Sequence, residues 1–237
     1  MISESGEAAK VALYHLRTQI VNARNKPIAK AKVGIKRNGE IQPVQFSNAE
    51  GYLDIIDLNP ADQISFNASK EKYLTKRSEF LMDGREIPKQ LLKKELTDTT
   101  FDHKITLGLA EVGEEISALF DVNPIYYDLD KSNIRPDAAA ELDKIVQVLK
   151  DNPDISIELG SHTDARASAG YNLKLSQRRA ESAVKYIIEH GIEASRIKAK
   201  GYGETQLING CSDGVDCSEE AHQENRRTEF KITDLND

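Results

Sequence analysis

The chain has 237 residues, of which 39% are hydrophobic and 30% are charged, which is enough for two ordinary domains with water-exposed surfaces. No run approaches the roughly 18 apolar residues of a membrane span. Basic residues exceed acidic ones by three in residues 1–110, whereas acidic residues exceed basic ones by ten in residues 111–237. The second half would therefore repel nucleic acid, and no nucleic-acid partner is expected.

Residues 1–12 are polar and are expected to form a tail or the remnant of a linker. They contain no basic segment followed by an apolar stretch and therefore do not resemble a signal peptide. A cytoplasmic protein and a mature fragment behind an added Met both remain open at this point.

Short alternating segments separated by turn signals predict an all-β sandwich over residues 13–110. Asn38-Gly-Glu, for example, is a hairpin signal between two such segments. No convincing helical pattern lies among them, which favours antiparallel strands. The polar stretch 83–102 is expected to form a long loop or a short helix at 90–95. The predicted strands are residues 16–21, 31–36, 44–46, 52–56, 64–68, 78–81 and 105–109.

The pattern changes in residues 111–237 to strands alternating with long helices, which predicts an α/β domain with two helices packed on one mixed sheet. Pro136 suits the first turn of a helix that should end at Asn152-Pro153. A second helix is expected at 172–190. The predicted strands are residues 124–129, 155–159, 197–202 and 228–232, with a loop at 160–170. The expected buried faces consist of Leu142, Ile145, Val146 and Leu149 in the first helix and of Ala180, Ala183, Val184, Ile187 and Ile188 in the second.

The two cysteines, Cys211 and Cys217, lie six residues apart in a polar loop. A disulfide, two free thiols and a metal site are the alternatives. Two cysteines with only His222 nearby do not supply the four ligands of a structural zinc site, and a short loop rich in Gly, Asp and Ser easily brings two sulfurs together. The pattern favours a disulfide, which would place the protein in an oxidising compartment such as the periplasm.

Two segments in the first half resemble a carboxypeptidase regulatory-like domain. Residues 21–33 are similar to its opening, in which a turn leads to a Pro, a small residue and an outward strand. Residues 47–55 are similar to its second segment, which has a turn, a Gly and an aromatic residue. The resemblance implies a small β-sandwich without peptidase activity, since His15 is the only histidine before residue 100 and no His/Glu zinc set is present.

Five segments in the second half resemble, in order, the motifs of the OmpA-like domain. The first has Tyr127-Asp128 where the family usually has Phe-Asp, and the second has the family's Gly-His-Thr-Asp turn with Ser161 inserted or substituted. The resemblance spans residues 115–234 and implies a non-catalytic module that binds the peptidoglycan of a Gram-negative envelope. The five segments are residues 125–134, 160–164, 171–180, 201–204 and 225–229.

Asp164 and Arg179 carry the binding chemistry that this resemblance implies. A loop and about two turns of helix separate them, so both can face one cleft, where a carboxylate and a guanidinium suit a zwitterion. The free end of meso-diaminopimelate in a peptidoglycan stem peptide is such a group. The alternative is a structural ion pair between Asp164 and Arg179. The other predicted peptidoglycan-binding residues are Tyr127, Asp128, Asn172, Leu175 and Arg226, whereas Tyr126 is expected in the core.

Enzymatic activity, cofactors and metal ions are not expected. His162 has no Ser or Cys nucleophile in a recognisable motif around it, so a role in stabilising the turn is favoured. The Asp-rich segments 128–130 and 213–216 do not match the Asp-x-Asx-x-Asx-Gly loop that binds calcium.

The pairing of these two domain types, together with the Cys211–Cys217 loop, resembles outer-membrane-associated proteins of the Bacteroidetes type. This resemblance implies a periplasmic protein that its second domain anchors to the cell wall. The alternative is an interaction module of an envelope secretion or motility complex, in which the sandwich binds a protein partner and wall binding is secondary. The presence of both Asp164 and Arg179 favours wall binding.

Overall fold

The computed structural model describes residues 12–82, 85, 97–128 and 131–235. The chain forms two compact units, Met1–Leu107 and Gly108–Asp237. The predicted tail, apart from its last residue, and the predicted helix at 90–95 lie outside the described residues. The loop prediction for 83–102 is wrong at 97–102, because these residues belong to a strand that begins at Thr97. None of the helices in the described ranges is both long enough and apolar enough to cross a membrane.

In its described residues, the first unit consists of two β-sheets. One has the strand order β5-β1-β8, and the other has the order β3-β2-β6-β7 with β4 also paired to β2. The strands are β1 Ala12–Asn22, β2 Lys32–Arg37, β3 Glu40–Ile41, β4 Gln45–Phe46, β5 Tyr52–Leu58, β6 Gln63–Lys70, β7 Tyr73–Leu81 and β8 Thr97–Leu107.

The two sheets of the first unit share one hydrophobic core. Leu16 and Ile20 from β1 are fully buried in the same cluster as Ile64 and Phe66 from β6 and Phe80 from β7. Alternation along these strands sends every second side chain into this core, as the apolar–polar pattern of the sequence predicts.

The prediction of purely antiparallel strands is wrong for one pair of strands. β1 and β8 pair in parallel along their whole length, from Ala12↔Thr97 to Asn22↔Leu107. Parallel neighbours need a long connection, and here the chain between β1 and β8 passes through all the other strands of the unit. A local sequence pattern cannot reveal such a distant pairing.

The second unit, within the described residues, is an α/β arrangement of three α-helices and a three-stranded mixed sheet. The sheet order is β10-β9-β11, with β10 parallel and β11 antiparallel to β9. The elements are α1 Pro136–Asp151, β9 Ile155–His162, α2 Ala169–Glu189, β10 Ile197–Gly203, α3 Glu219–Asn225 and β11 Thr228–Leu235.

Both long helices bury the stripes that their sequences predict. In α1 the buried side chains include Leu142, Ile145, Val146 and Leu149, and in α2 they include Ala180, Ala183, Val184 and Ile187. Only Ile188 of the predicted stripes is partly exposed. The predicted loop at 160–170 is shorter than expected, because β9 continues to His162 and α2 begins at Ala169.

The strand predicted at 124–129 does not occur in its described part, since residues 124–128 pair with no strand. The outer edge of β11 is already occupied there by residues 113–116. Gly113 and Ile116 donate backbone hydrogen bonds to Ile232 and Phe230 at 2.7 and 3.0 Å. The apolar pattern of this segment suggested a strand. Instead, Ile125 is buried, and the segment lies next to the end of the sheet.

Glycines hold α2 directly against β10. A Cβ atom on Gly201 would lie 2.3 Å from the backbone nitrogen of Gln177, and one on Gly203, whose φ is +54°, would lie 2.9 Å from the backbone nitrogen of Leu173. The two backbones are therefore in direct contact, with no side chain between them. This contact fixes the distance of α2 from β10.

Candidate ligand-binding cleft

A cleft of about 480 Å³ opens in the second unit, where β9 ends and α2 begins. Asp164 lies in the turn after β9, Asn172, Leu175 and Arg179 lie on α2, and Arg226 follows α3. All five line the cleft together with Tyr127. Six of the seven predicted binding residues therefore lie around one cavity, and this cavity is called the cleft below.

Asp164 is a buried carboxylate held by two arginines. Its Oδ2 accepts from Arg166 Nη2 at 2.8 Å and from Arg226 Nη1 at 2.5 Å, and its side chain is 12% exposed. Burial raises the pKa of Asp164, but the hydrogen bonds from Arg166 and Arg226 outweigh burial and lower the pKa below its usual 3.8. The carboxylate is therefore ionised at neutral pH. Among the described residues, its Oδ1 accepts only a long 3.3 Å hydrogen bond from the Arg166 backbone N–H.

Arg179 is a buried cation that makes no ion pair with any residue in the described ranges. Its Nε donates to the Lys131 carbonyl at 3.1 Å, and its guanidinium carbon lies 5.0 Å from the centre of the Tyr127 ring. Burial lowers its pKa. A buried charge is costly unless it is paired, so this side chain is suited to an anionic group from outside the chain.

The alternative of a structural ion pair between Asp164 and Arg179 does not match these contacts. Asp164 is paired with Arg166 and Arg226, whereas Arg179 is bound to backbone carbonyls and to Tyr127. The two charges are held separately in one cleft, as recognition of a zwitterion requires.

Asn172 and Leu175 form the inner wall of the cleft. The Asn172 side-chain amide donates to the carbonyls of Asp164 and Ala167 at 3.0 and 3.3 Å and to Glu204 at 2.5 Å. It therefore fixes the turn that carries Asp164. Leu175 is 7% exposed and supplies an apolar surface to the cleft.

Asp128 and Tyr126 lie elsewhere than predicted. The Asp128 carboxylate is exposed and pairs with Arg135 at 3.3 Å and Lys131 at 3.8 Å, because the segment is not held in a strand that would aim it inward. Only its backbone carbonyl is near the cleft, accepting from Arg179 at 3.5 Å. The core prediction for Tyr126 is wrong, since this side chain is 42% exposed.

Two charged residues in the cleft, Arg166 and Glu219, were not predicted from the sequence. Arg166 bridges Asp164 to Glu219, and Arg226 contacts the same two carboxylates. Glu219 lies at the start of α3, whose Ser218 cap followed by two acidic residues was an available helix signal. With Arg179 included, three cations face two anions, so the cleft carries one excess positive charge.

The Cys211–Cys217 disulfide is confirmed, with Cα atoms 5.9 Å apart. Two residues before the loop that this disulfide closes, the Asn209 side chain contacts α3, donating to the Ala221 carbonyl at 2.8 Å and accepting from Asn225 at 2.7 Å. Because α3 forms one wall of the cleft, the disulfide braces that wall. No group of three or more His, Cys, Asp or Glu side chains able to hold a metal occurs in the part of the chain that the structure describes.

Replacing both cysteines with Ser should lower the free energy of unfolding by about 2 kcal/mol, as expected for the loss of a short disulfide loop. It should also weaken ligand binding, because α3 is no longer braced. Urea denaturation followed by circular dichroism measures the first effect. The control is Asp213→Asn in the same loop, because Asp213 is exposed and the disulfide stays intact. Equal stability of the double variant and wild type would contradict this role for the disulfide.

The lowered pKa of Asp164 should make the free energy of unfolding depend on pH. A carboxylate with a lowered folded pKa contributes stability that is present above its unfolded pKa and lost as the pH falls through the folded value. Asp164→Asn should therefore cost on the order of 2 kcal/mol at pH 7, and the difference from wild type should shrink as the pH falls below 3.8. Urea denaturation of both proteins at several pH values tests this, and a difference that grows in acid would contradict it.

This fold and this cleft define an α/β domain with a charged cleft that is large enough for a small ligand. The family model described as "OmpA family" matches residues 126–221. The peptidoglycan-associated lipoprotein of Rhizobium meliloti is 31% identical over 122 residues, which are 51% of this chain and 69% of that protein. The chain belongs to the OmpA family.

Other matches cover a similar share of this chain. Photosystem I P700 chlorophyll a apoprotein A2 of Gloeobacter violaceus is 39% identical over 110 residues, which are 46% of this chain and only 12% of that protein. Among solved structures, the peptidoglycan-associated lipoprotein of Burkholderia pseudomallei is 26% identical with a TM-score of 0.41, covering 46% of this chain and 88% of that one.

Proposed function

We propose that the second unit binds peptidoglycan without catalysis, through the free zwitterionic end of meso-diaminopimelate in the stem peptide. The observation that carries this proposal is the buried Arg179, which lies in one cleft with the ionised Asp164 and is not paired with a described carboxylate. In this binding mode Arg179 donates to the ligand carboxylate and Asp164 Oδ1 accepts from the ligand ammonium.

The expected affinity for a single stem peptide is modest. Each charge-assisted hydrogen bond contributes about 1.5–3 kcal/mol, and ordering of the ligand consumes part of this, so a micromolar or weaker Kd is expected. The excess positive charge of the cleft favours a ligand with further carboxylates, as a stem peptide has. Weak single sites suffice for anchoring, because a cell wall presents many identical stem peptides close together.

Membership of the OmpA family and the name of the Rhizobium meliloti relative support this proposal. On this basis the protein lies in the periplasm and holds an outer-membrane-associated protein or complex to the wall. We assign residues 111–237 to the OmpA-like domain. We assign residues 13–110 to a carboxypeptidase regulatory-like β-sandwich of a Bacteroidetes-type envelope protein, an assignment that rests on the sequence motifs and on the two sheets with a shared core.

A second candidate function, binding to a protein of an envelope secretion or motility complex, is favoured by one feature of the first unit. Ile41 in β3, Val44 just before β4 and Phe46 in β4 are 80%, 48% and 62% exposed. The first two also line a groove of about 320 Å³ on the same sheet. Exposed apolar side chains that lie together are typical of interaction surfaces. If this second function is correct, a variant that no longer binds the cell wall should still assemble with its protein partner.

Co-sedimentation of the full chain with purified sacculi that contain meso-diaminopimelate tests the proposed function. We expect the folded chain to sediment with sacculi and the urea-unfolded chain to remain in solution. Sacculi whose stem peptides contain lysine in place of diaminopimelate should retain far less protein. Equal retention on both kinds of sacculi, or none on either, would contradict the proposal.

Amidation of the free diaminopimelate carboxylate should weaken binding tenfold or more. An amide removes the charge that Arg179 binds, which costs about 1.5–3 kcal/mol. Isothermal titration with soluble disaccharide tripeptides, amidated and non-amidated, measures the difference directly. Equal affinities would show that Arg179 does not bind this carboxylate.

A further inference from the structure

The carboxylate of Asp164 is already shared by two arginines. Within the described residues, its Oδ2 accepts three hydrogen bonds, from Arg166 Nε at 3.2 Å, from Arg166 Nη2 at 2.8 Å and from Arg226 Nη1 at 2.5 Å. A carboxylate oxygen offers about two lone pairs, so Oδ2 is saturated. A ligand ammonium on Oδ1 would lie beside two guanidinium groups, and repulsion between like charges disfavours this position.

Of the two arginines, Arg166 is the one that can leave the carboxylate. Its side chain is 49% exposed and belongs to the turn between β9 and α2, whereas the Arg226 side chain is 22% exposed. Arg226 is also held by Glu219 and Gln223 of α3. Exposed ion pairs are weak because water screens them, so the contact between Arg166 and Asp164 can be exchanged at little cost.

Glu219 keeps Arg166 paired after it leaves Asp164. Arg166 Nη1 already donates to Glu219 Oε2 at 2.7 Å, and Arg166 Nη2 lies 3.5 Å from Glu219 Oε1. A rotation of the guanidinium away from Asp164 can shorten this second contact and complete a two-pronged pair. The displaced arginine therefore does not become an unpaired charge.

The turn that carries Asp164 is held independently of the Arg166 side chain. The Asn172 amide donates to the carbonyls of Asp164 and Ala167 at 3.0 and 3.3 Å. Ser168 caps α2 directly after this turn. Arg166 contributes to the turn through its backbone N–H, which donates to Asp164 Oδ1 at 3.3 Å. Movement or replacement of the Arg166 side chain should therefore leave Asp164 in place.

We infer that Arg166 determines the specificity of the cleft by competing with the ligand ammonium for Asp164, and that it turns to Glu219 when a zwitterion binds. This inference rests on the proposed function. Every ligand cation must displace Arg166, but a zwitterion offsets this cost with a carboxylate for Arg179. A simple cation, such as a diamine or a lysine side chain, has no such group and is rejected.

Titration of wild type and Arg166→Gln with two ligands tests this competition, with the Tyr127 ring signals in proton NMR of the full chain as the readout. Free meso-diaminopimelate should bind the variant about threefold or more tightly than wild type, because Asp164 is no longer shared with Arg166. The second ligand, 1,5-diaminopentane, has the same chain and both ammonium groups but no carboxylate. Its affinity should rise about tenfold or more, because the variant also lacks the excess positive charge that repels a dication.

A control variant and a signal of the wild type complete the experiment. Lys174→Gln removes the same charge from an exposed position of α2 outside the cleft and should leave both affinities unchanged. Circular dichroism verifies that both variants fold. In wild type, Arg166 Nε donates to Asp164, so its N–H signal in nitrogen-15 NMR should shift when meso-diaminopimelate binds. The absence of this signal from the Arg166→Gln spectrum assigns it.

The outcomes separate this role of Arg166 from the proposed function. If Arg166→Gln binds meso-diaminopimelate as well as wild type or more weakly, Arg166 does not compete with the ligand and the inference is overturned. If 1,5-diaminopentane gains no more affinity than meso-diaminopimelate, Arg166 does not determine specificity, and the inference is again wrong. If neither wild type nor Arg166→Gln binds meso-diaminopimelate, the proposed function itself fails.

Discussion

Replacing Arg179 with Ala is expected to abolish co-sedimentation with sacculi that contain meso-diaminopimelate, through a loss of affinity of a hundredfold or more. The guanidinium can donate two parallel hydrogen bonds to a carboxylate, and each charge-assisted bond contributes about 1.5–3 kcal/mol. The side chain is 9% exposed and is held by Lys131 and Tyr127, so little freedom is lost when the ligand binds. Asp164→Ala should have a similar effect through the ammonium.

The neighbouring residue of α2 provides the matched control. Arg178 is exposed, and Arg178→Ala removes the same charge one residue away without changing the cleft. It should leave sedimentation unchanged. Arg179→Lys should be intermediate, because it keeps the charge and loses the two-pronged geometry. Unchanged sedimentation of the folded Arg179→Ala and Asp164→Ala variants would show that both charges are structural, and the interaction-module function would then be favoured.

Gly201→Ala is expected to destabilise the second unit by about 2–3 kcal/mol, the cost of overpacking a close contact. The added methyl group would lie 2.3 Å from the Gln177 nitrogen and 2.6 Å from its Cα atom. Backbone atoms of a helix cannot move independently, so α2 must shift as a unit. The backbone N–H of Gly201 also donates to the Gln177 side chain at 2.7 Å, and this bond would be strained.

The same substitution should weaken ligand binding in the protein that remains folded. Arg179 lies two residues after Gln177 on α2, so a shift of the helix moves the guanidinium relative to Asp164. Urea denaturation at 25 °C measures the stability, and titration with meso-diaminopimelate measures the affinity. Gly210→Ala is the control, since nothing lies within 4 Å of a Cβ atom there, and its effect should stay within about 0.5 kcal/mol. Equal stabilities of the two variants would contradict the close contact.

The sequence was most informative where a repeat of apolar residues or a short motif determines local structure. The stripes of α1 and α2 follow from helical spacing, because one face of each helix packs on the sheet. Alternation likewise located β1, β2, β5 and β6, but β8 begins at Thr97, inside the stretch that was expected to form a loop. The site residues Asp164 and Arg179 were predicted to face one cleft from a turn and a helix at a fixed spacing, and both line it.

Features that depend on long-range pairing could not be predicted. Residues 124–129 have the composition of a strand, but residues 113–116 occupy the edge of β11 that such a strand would need. The parallel pairing of β1 and β8 likewise joins segments separated by most of the first unit. The position of Asp128 was wrong for the same reason, since its orientation depended on the absent strand.

The remaining part of the site depends on side chains brought in by α3. This helix has seven residues and is polar, so it has no apolar stripe that could be recognised. Its Glu219 pairs with Arg166 at 2.7 Å, although the two residues are far apart in the sequence. The ion pairs among Asp164, Arg166 and Arg226 therefore became apparent from the structure.

Competition for sacculi tests most directly whether the cleft binds the zwitterionic end of the stem peptide. Full-length chain sedimented with sacculi is incubated with increasing free meso-diaminopimelate or with 1,5-diaminopentane. We predict that meso-diaminopimelate releases the chain into solution and that 1,5-diaminopentane, which lacks both carboxylates, does not. If the chain stays on the sacculi at saturating meso-diaminopimelate, its attachment does not depend on this group and the proposed binding mode is wrong.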